Sequence, residues 1–149
     1  MISIIFLSLA GAVLSAVIGT FWYSSMTPMG KIHMRYLGFD KLSEQEKIDK
    51  INEAKPKMVK LYIMQAILSL LTSFAVVYIV TMSIYNGLPL PMALGFVLMN
   101  WLCFMVPVYG SGIIWGNCDR EIALKKFFSD ILCSLVTVLL IGVLASLFV

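Results

Sequence analysis

Charge is what this sequence has least of. Only 13% of its 149 residues are Asp, Glu, Lys or Arg, while 60% are hydrophobic. A water-soluble domain carries roughly 25% charged and about 45–50% apolar residues, so this chain lacks the polar surface to cover a soluble globule. Histidine occurs once, at His33, which argues against a histidine-built metal or haem site within one chain. Cysteine occurs three times, at Cys103, Cys118 and Cys133, with no CxxC spacing. An odd count makes a poor disulfide framework. There is no G-x-S-x-G, Walker loop, H-E-x-x-H or dinucleotide fingerprint. No cofactor or metal is implied, and no catalytic spacing suggests an enzyme.

Long hydrophobic runs are what the chain has instead. Residues 1–23 hold no charge, and neither do 61–85 or 92–115; 127–149 hold one acid, Asp130. A bilayer-spanning helix needs about 20 such residues. A cleaved signal peptide would start with a basic region and a shorter apolar stretch, so the first run reads as a retained span. The expected fold is all-α: one integral membrane domain, a four-transmembrane-helix bundle with spans near 2–23, 61–85, 92–115 and 127–148.

The charges then sort by side. All eleven Lys and Arg fall in two segments, 31–60 and 120–126. With four spans those segments lie on one side. The positive-inside bias makes that side cytoplasmic and puts both termini outside, in a multi-pass protein of the cell membrane. Trp22, Tyr23 and Trp115 then stand as interface anchors, apolar rings with a polar tip that wants water, followed by Lys31 once the chain is wet. Tyr85 marks the other interface before the turn Asn86-Gly87-Leu88-Pro89. Basic residues mixed with acids and explained by topology argue against nucleic-acid binding. Lys31, His33 and Arg35 lie where anionic lipid headgroups would be, and His33 reads as a surface residue rather than a base.

The segment between spans 1 and 2 is long for a structureless loop. Ser43 and Glu46 match a capping box. Glu46 with Lys50, and Glu53 with Lys57, are favourable i,i+4 pairs. A short cytoplasmic amphipathic helix is expected there, ended or kinked at Pro56. A solvated connector is the other reading.

In lipid, helices associate through close backbone approach and interhelical hydrogen bonds. Gly11, Ser15 and Gly19 form a small-residue ladder on the first span. Gly112 and Gly116 do so at the end of the third, and Gly142 lies on the fourth. These faces serve either packing within one bundle or self-association. Asn100 lies near mid-span, where lipid cannot satisfy its amide, so it is expected to face inward. Pro107 cannot donate to the Cys103 carbonyl and should kink the helix. Asn100, Cys103, Pro107 and Ser111, with Gln65 and Asp130 as further members, could line a polar cavity. Alternatively Asn100 glues helices beside an ordinary kink. Asp130, paired with Lys126 or Arg120, is either an interface acid or a transport residue. Asp119-Arg120-Glu121 reads as a solvated turn.

The order Gly19-x-x-Trp22-Tyr23-Ser24, then Gly30-Lys31 and Leu37-Gly38, resembles the start of the bacterial and archaeal membrane proteins catalogued as domain of unknown function 1761. The stretch from Trp101 to Pro107, and Trp115 to Ala123 leading to Gly142, is also similar to it. Ser25 stands where that family usually has proline, and Met29 where an aromatic is common. The resemblance implies a compact four-span helical protein and no particular activity. Three roles follow from the sequence. The first is a structural or accessory subunit that self-associates or joins a larger membrane complex, with membrane lipids around it. The second is a small oligomeric transporter or channel using Asn100, Pro107 and Asp130. The third, ranked last, is a membrane enzyme acting on lipids.

Overall fold

A computed structural model describes residues 2–116 and 118–149. The described residues are helical, with no strand. Helix α1 spans Ile2–Trp22, α2 spans Pro28–Tyr36 and α3 spans Glu44–Tyr85. The third long element is composite. It begins as α4, Leu90–Asn100, passes through a π-helical turn, Trp101–Met105, and continues as α5, Val106–Ile114. Helix α6 spans Arg120–Ser146. Four of these elements, Ile4–Trp22, Glu44–Tyr85, Leu90–Ile114 and Arg120–Ser146, are long and apolar enough to cross a membrane.

The core sits where α1, α3, α4 and α6 approach most closely. Leu7, Val76, Val77, Val80, Ala93, Val97, Val138, Ile141 and Ala145 are buried together. Gly11 makes the α1–α3 approach possible: a Cβ there would lie 2.1 Å from Ser73 Oγ. Gly142 does the same on α6, where a Cβ would lie 2.8 Å from Leu94 Cδ2. Small residues set the interhelical distance in lipid, where apolar surface alone does not drive helices together.

The ladder expected on α1 is only partly used. A Cβ on Gly19, or on Gly112 of α5, would meet nothing within 4 Å. Ser15 is half-buried. Gly116 approaches only the carbonyl of Gly112, in its own turn. Gly19 and Gly112 thus do not serve the close approaches that Gly11 and Gly142 make.

The link from span 1 to span 2 also differs from expectation. Ser43 and Glu46 do form the capping box, with the Glu46 amide donating to Ser43 Oγ at 3.3 Å and the Ser43 amide donating to Glu46 at 2.8 Å. The helix they start does not end at Pro56. It runs on for 42 residues into the second span, with Pro56 inside it. At 1.5 Å per residue that is about 63 Å, twice the hydrocarbon thickness. The segment expected to form a separate short helix is therefore the exposed start of a long one. Glu46 is engaged by Ser43, and Lys50 lies 5.2 Å from the centre of the Phe39 ring rather than pairing with Glu46. The short helix that does exist here is α2, started by Thr27 as N-cap and Pro28 in its first turn.

Turn chemistry closes α3 where the sequence placed it. Gly87 adopts φ 79°, and the Leu88 amide donates to the Ser83 carbonyl at 3.0 Å. The positive φ suits glycine at a helix C-terminus.

Candidate functional site

A cluster of charged and hydrogen-bonding side chains lies at one end of the bundle, where α1 hands the chain to α2 and α6 begins. Thr27 folds the chain back: its hydroxyl donates to the Trp22 carbonyl at 2.7 Å and accepts from the Gly30 amide at 2.9 Å. Gly30 is buried in this bend. A Cβ there would lie 1.8 Å from the Ser24 carbonyl oxygen, so no other residue fits without moving backbone. The bend brings α2 against α6. Arg35 and Asp40 then face Asp119, Glu121 and Lys125 around a shallow cavity of about 290 Å³. The two basic segments thus meet at the same end of the bundle. Asp119 caps α6, accepting from the amides of Glu121 and Ile122.

Beneath this surface lies a largely shielded ion pair. Lys126 bonds both carboxylate oxygens of Asp130, one turn apart on α6. Their side chains are 13% and 15% exposed. Tyr23 donates its hydroxyl to Asp130 Oδ1 at 2.6 Å. The Lys126 ammonium lies 5.0 Å from the centre of the Tyr23 ring and 5.8 Å from that of Tyr36. Both contacts are of the cation–π type. Trp22 donates its indole N–H to Ser129 Oγ at 3.1 Å. One turn deeper, Trp101 donates to Ser134 Oγ at 2.9 Å. Each aromatic thus spends its polar tip on α6.

This corrects the expectation for Trp22 and Tyr23. Both are half-buried, and their N–H and O–H bond protein rather than water. Trp115 is 84% exposed, and Lys31 is exposed as well. His33 is likewise not a plain surface residue. Its ring packs against Tyr23, centroids 5.0 Å apart, and its Nδ1 is buried without a hydrogen-bond partner. Burial, and then the nearby Lys126 charge, hold its pKa below the ordinary value, partly offset by Asp130.

The polar cavity expected around Asn100 is not inside this chain. Asn100, Cys103, Pro107 and Ser111 do share one face of the third long element, but it is the outer face. Asn100 donates its amide to its own Phe96 carbonyl at 2.9 Å. Between Asn100 and Pro107 lies the π turn, in which the Val106 amide reaches back to the Trp101 carbonyl. Pro107 falls just after this turn, in the first residues of α5, where the kink was expected. Gln65 is exposed on α3 and donates to Ser69, not toward Asp130. Of the six expected cavity residues, only Asp130 belongs to the polar cluster. The sequence could not place Tyr23, Trp22 and His33 beside it, because they come from elements about 100 residues away in the chain.

Residues 7–146 match the family described as protein of unknown function, DUF1761. The chain belongs to that family. The matched span includes every residue of the cluster, from Trp22 and Tyr23 through Gly30 and His33 to Lys126 and Asp130. The motif by which the chain resembles its family is thus the stretch that bends back onto α6. Among curated proteins and among solved structures, nothing matches.

Proposed function

We propose that this protein is a small helical subunit of the cell membrane that works by self-association, with its basic loops cytoplasmic and both termini outside. One observation carries the reading. The outer face of the third long element presents Asn100 to the surroundings, in line with Cys103, Phe104, Pro107, Val108 and Ser111, all exposed. Lipid offers an amide nothing, and a polar residue on a span's outer face is satisfied when another helix covers it. Asn carries both donors and an acceptor, so a second copy of the same face is complementary to it. Each such bond contributes roughly 0.6–2 kcal/mol, and the small residues Gly112 and Ser111 let the backbones approach. The absence of catalytic motifs in the sequence supports a non-enzymatic role, and the positive-inside rule supports the orientation.

A second reading is favoured by the same stripe. In a ring of copies, Asn100, the π turn and Ser111 would line a shared path, making the assembly a small channel. Native mass spectrometry of protein released gently from membranes tests the association. A homo-oligomer of defined size is expected, and Asn100→Leu should shift it toward monomer. A monomeric wild type, or an oligomer indifferent to Asn100→Leu, would overturn the proposal. Ion flux in vesicles that disappears with Asn100→Leu would select the channel.

A further inference from the structure

A second cavity, of about 170 Å³, opens beside the ion pair between α2, α5 and α6. Its lining is of two chemistries: Tyr36, Tyr109, Lys126 and Asp130 are polar, and Val108, Ile113 and Phe127 are apolar. We propose that this cavity binds the headgroup of a zwitterionic, amine-bearing membrane phospholipid, a phosphoethanolamine, with the attached chains leaving along the apolar residues.

The hydrogen-bond inventory of the pair argues for this class. A carboxylate offers about four acceptor positions and an ammonium three donors. Asp130 accepts from Tyr23 once and from Lys126 at both oxygens, which leaves about one acceptor position. Lys126 spends two donors on Asp130 and keeps one. The complement is a group with one acidic oxygen and one N–H donor a few bonds apart. A phosphate with a primary amine is such a group. The Tyr36 and Tyr109 hydroxyls add donors for the phosphate. An anionic headgroup alone would meet the Asp130 charge, and a choline headgroup has no N–H to offer it. The apolar residues favour a lipid over the free headgroup.

Gly112 supplies the test. It lines this cavity, and a Cβ built on it meets no atom within 4 Å, so Gly112→Leu obstructs the site without crowding the bundle. Wild-type protein and this variant would be placed in nanodiscs of equimolar phosphatidylethanolamine, phosphatidylglycerol and phosphatidylcholine. Retained lipid would be read by native mass spectrometry, and folding by thermal melting. The wild type should keep one phosphatidylethanolamine per chain. Gly112→Leu should lose it at least tenfold with its melting unchanged, and Lys126→Met/Asp130→Leu should lose it too. Equal retention by Gly112→Leu, or preferential retention of phosphatidylglycerol or phosphatidylcholine, would overturn the proposal. So would displacement of the lipid by free phosphoethanolamine at equal concentration. The cavity shares Val108 and Gly112 with the outer face of α5, so the oligomeric state of Gly112→Leu is read in the same spectra, and loss of lipid with the oligomer intact separates this proposal from the association surface.

Discussion

Replacing Asp130 with Asn tests whether the shielded pair holds this end of the bundle together. The substitution keeps the side chain's shape and one acceptor for the Tyr23 hydroxyl, which now donates at 2.6 Å. It removes the charge facing Lys126, whose side chain is 13% exposed. Deleting one partner of a buried pair costs about 3–5 kcal/mol because the other charge is left behind. The rings of Tyr23 and Tyr36 still flank Lys126, and each is worth about 0.5–1 kcal/mol to a cation. The expected loss is therefore about 1–4 kcal/mol. Lys126→Met/Asp130→Leu leaves no orphaned charge and should cost within about 1 kcal/mol of the wild type. Equilibrium unfolding by SDS in mixed micelles, on all four corners of the cycle with matched single substitutions, measures the coupling. If Asp130→Asn costs under about 0.5 kcal/mol and the cycle is additive, the pair behaves as a surface salt bridge. The account of the pair holding this end of the bundle together then fails.

Gly11→Ala should destabilise by about 1–3 kcal/mol through overpacking against Ser73, whereas Gly19→Ala, with open space around its Cβ, should be neutral in the same unfolding assay. His33 is held neutral, its pKa below the ordinary value by burial and Lys126, with Asp130 opposing and Tyr23 packed on its ring. The folded state then binds its proton less well than the unfolded state, so His33 contributes stability in full above about pH 6.5 and loses it as pH falls below that. Melting at pH 8 and pH 5 should show a drop that shrinks in His33→Phe; an unchanged drop assigns it to other groups. The oligomer shift of Asn100→Leu and the lipid loss of Gly112→Leu complete the set.

How far the sequence reached can be judged residue by residue. Uncharged runs of bilayer length are a local property, so the four long helices were legible, as were the capping box of Ser43 and Glu46 and the turn at Gly87. Gly30-Lys31 entered only as part of a resemblance, and its reason is a clash with the Ser24 carbonyl that no spacing reveals. Pro56 does not end its helix, because a proline's cost of about 3 kcal/mol is one that a continuous 42-residue helix can absorb. Asn100 misled in direction. It was expected to face inward because lipid cannot satisfy its amide, but that rule does not say whether a neighbouring helix of the same chain covers it. That depends on which helices are neighbours, and contacts such as Gly11 with Ser73 set it. The same holds for Asp130. The sequence by itself determined that the chain is a set of membrane-length helices with its positive charge gathered in two segments, because hydropathy and charge act through the solvent. Only the tertiary structure decided that Tyr23, Lys126 and Asp130 form one polar cluster while Asn100 faces out. Pairing between distant residues depends on the bend at Thr27 and on helix register, and neither is written in any local window of the chain.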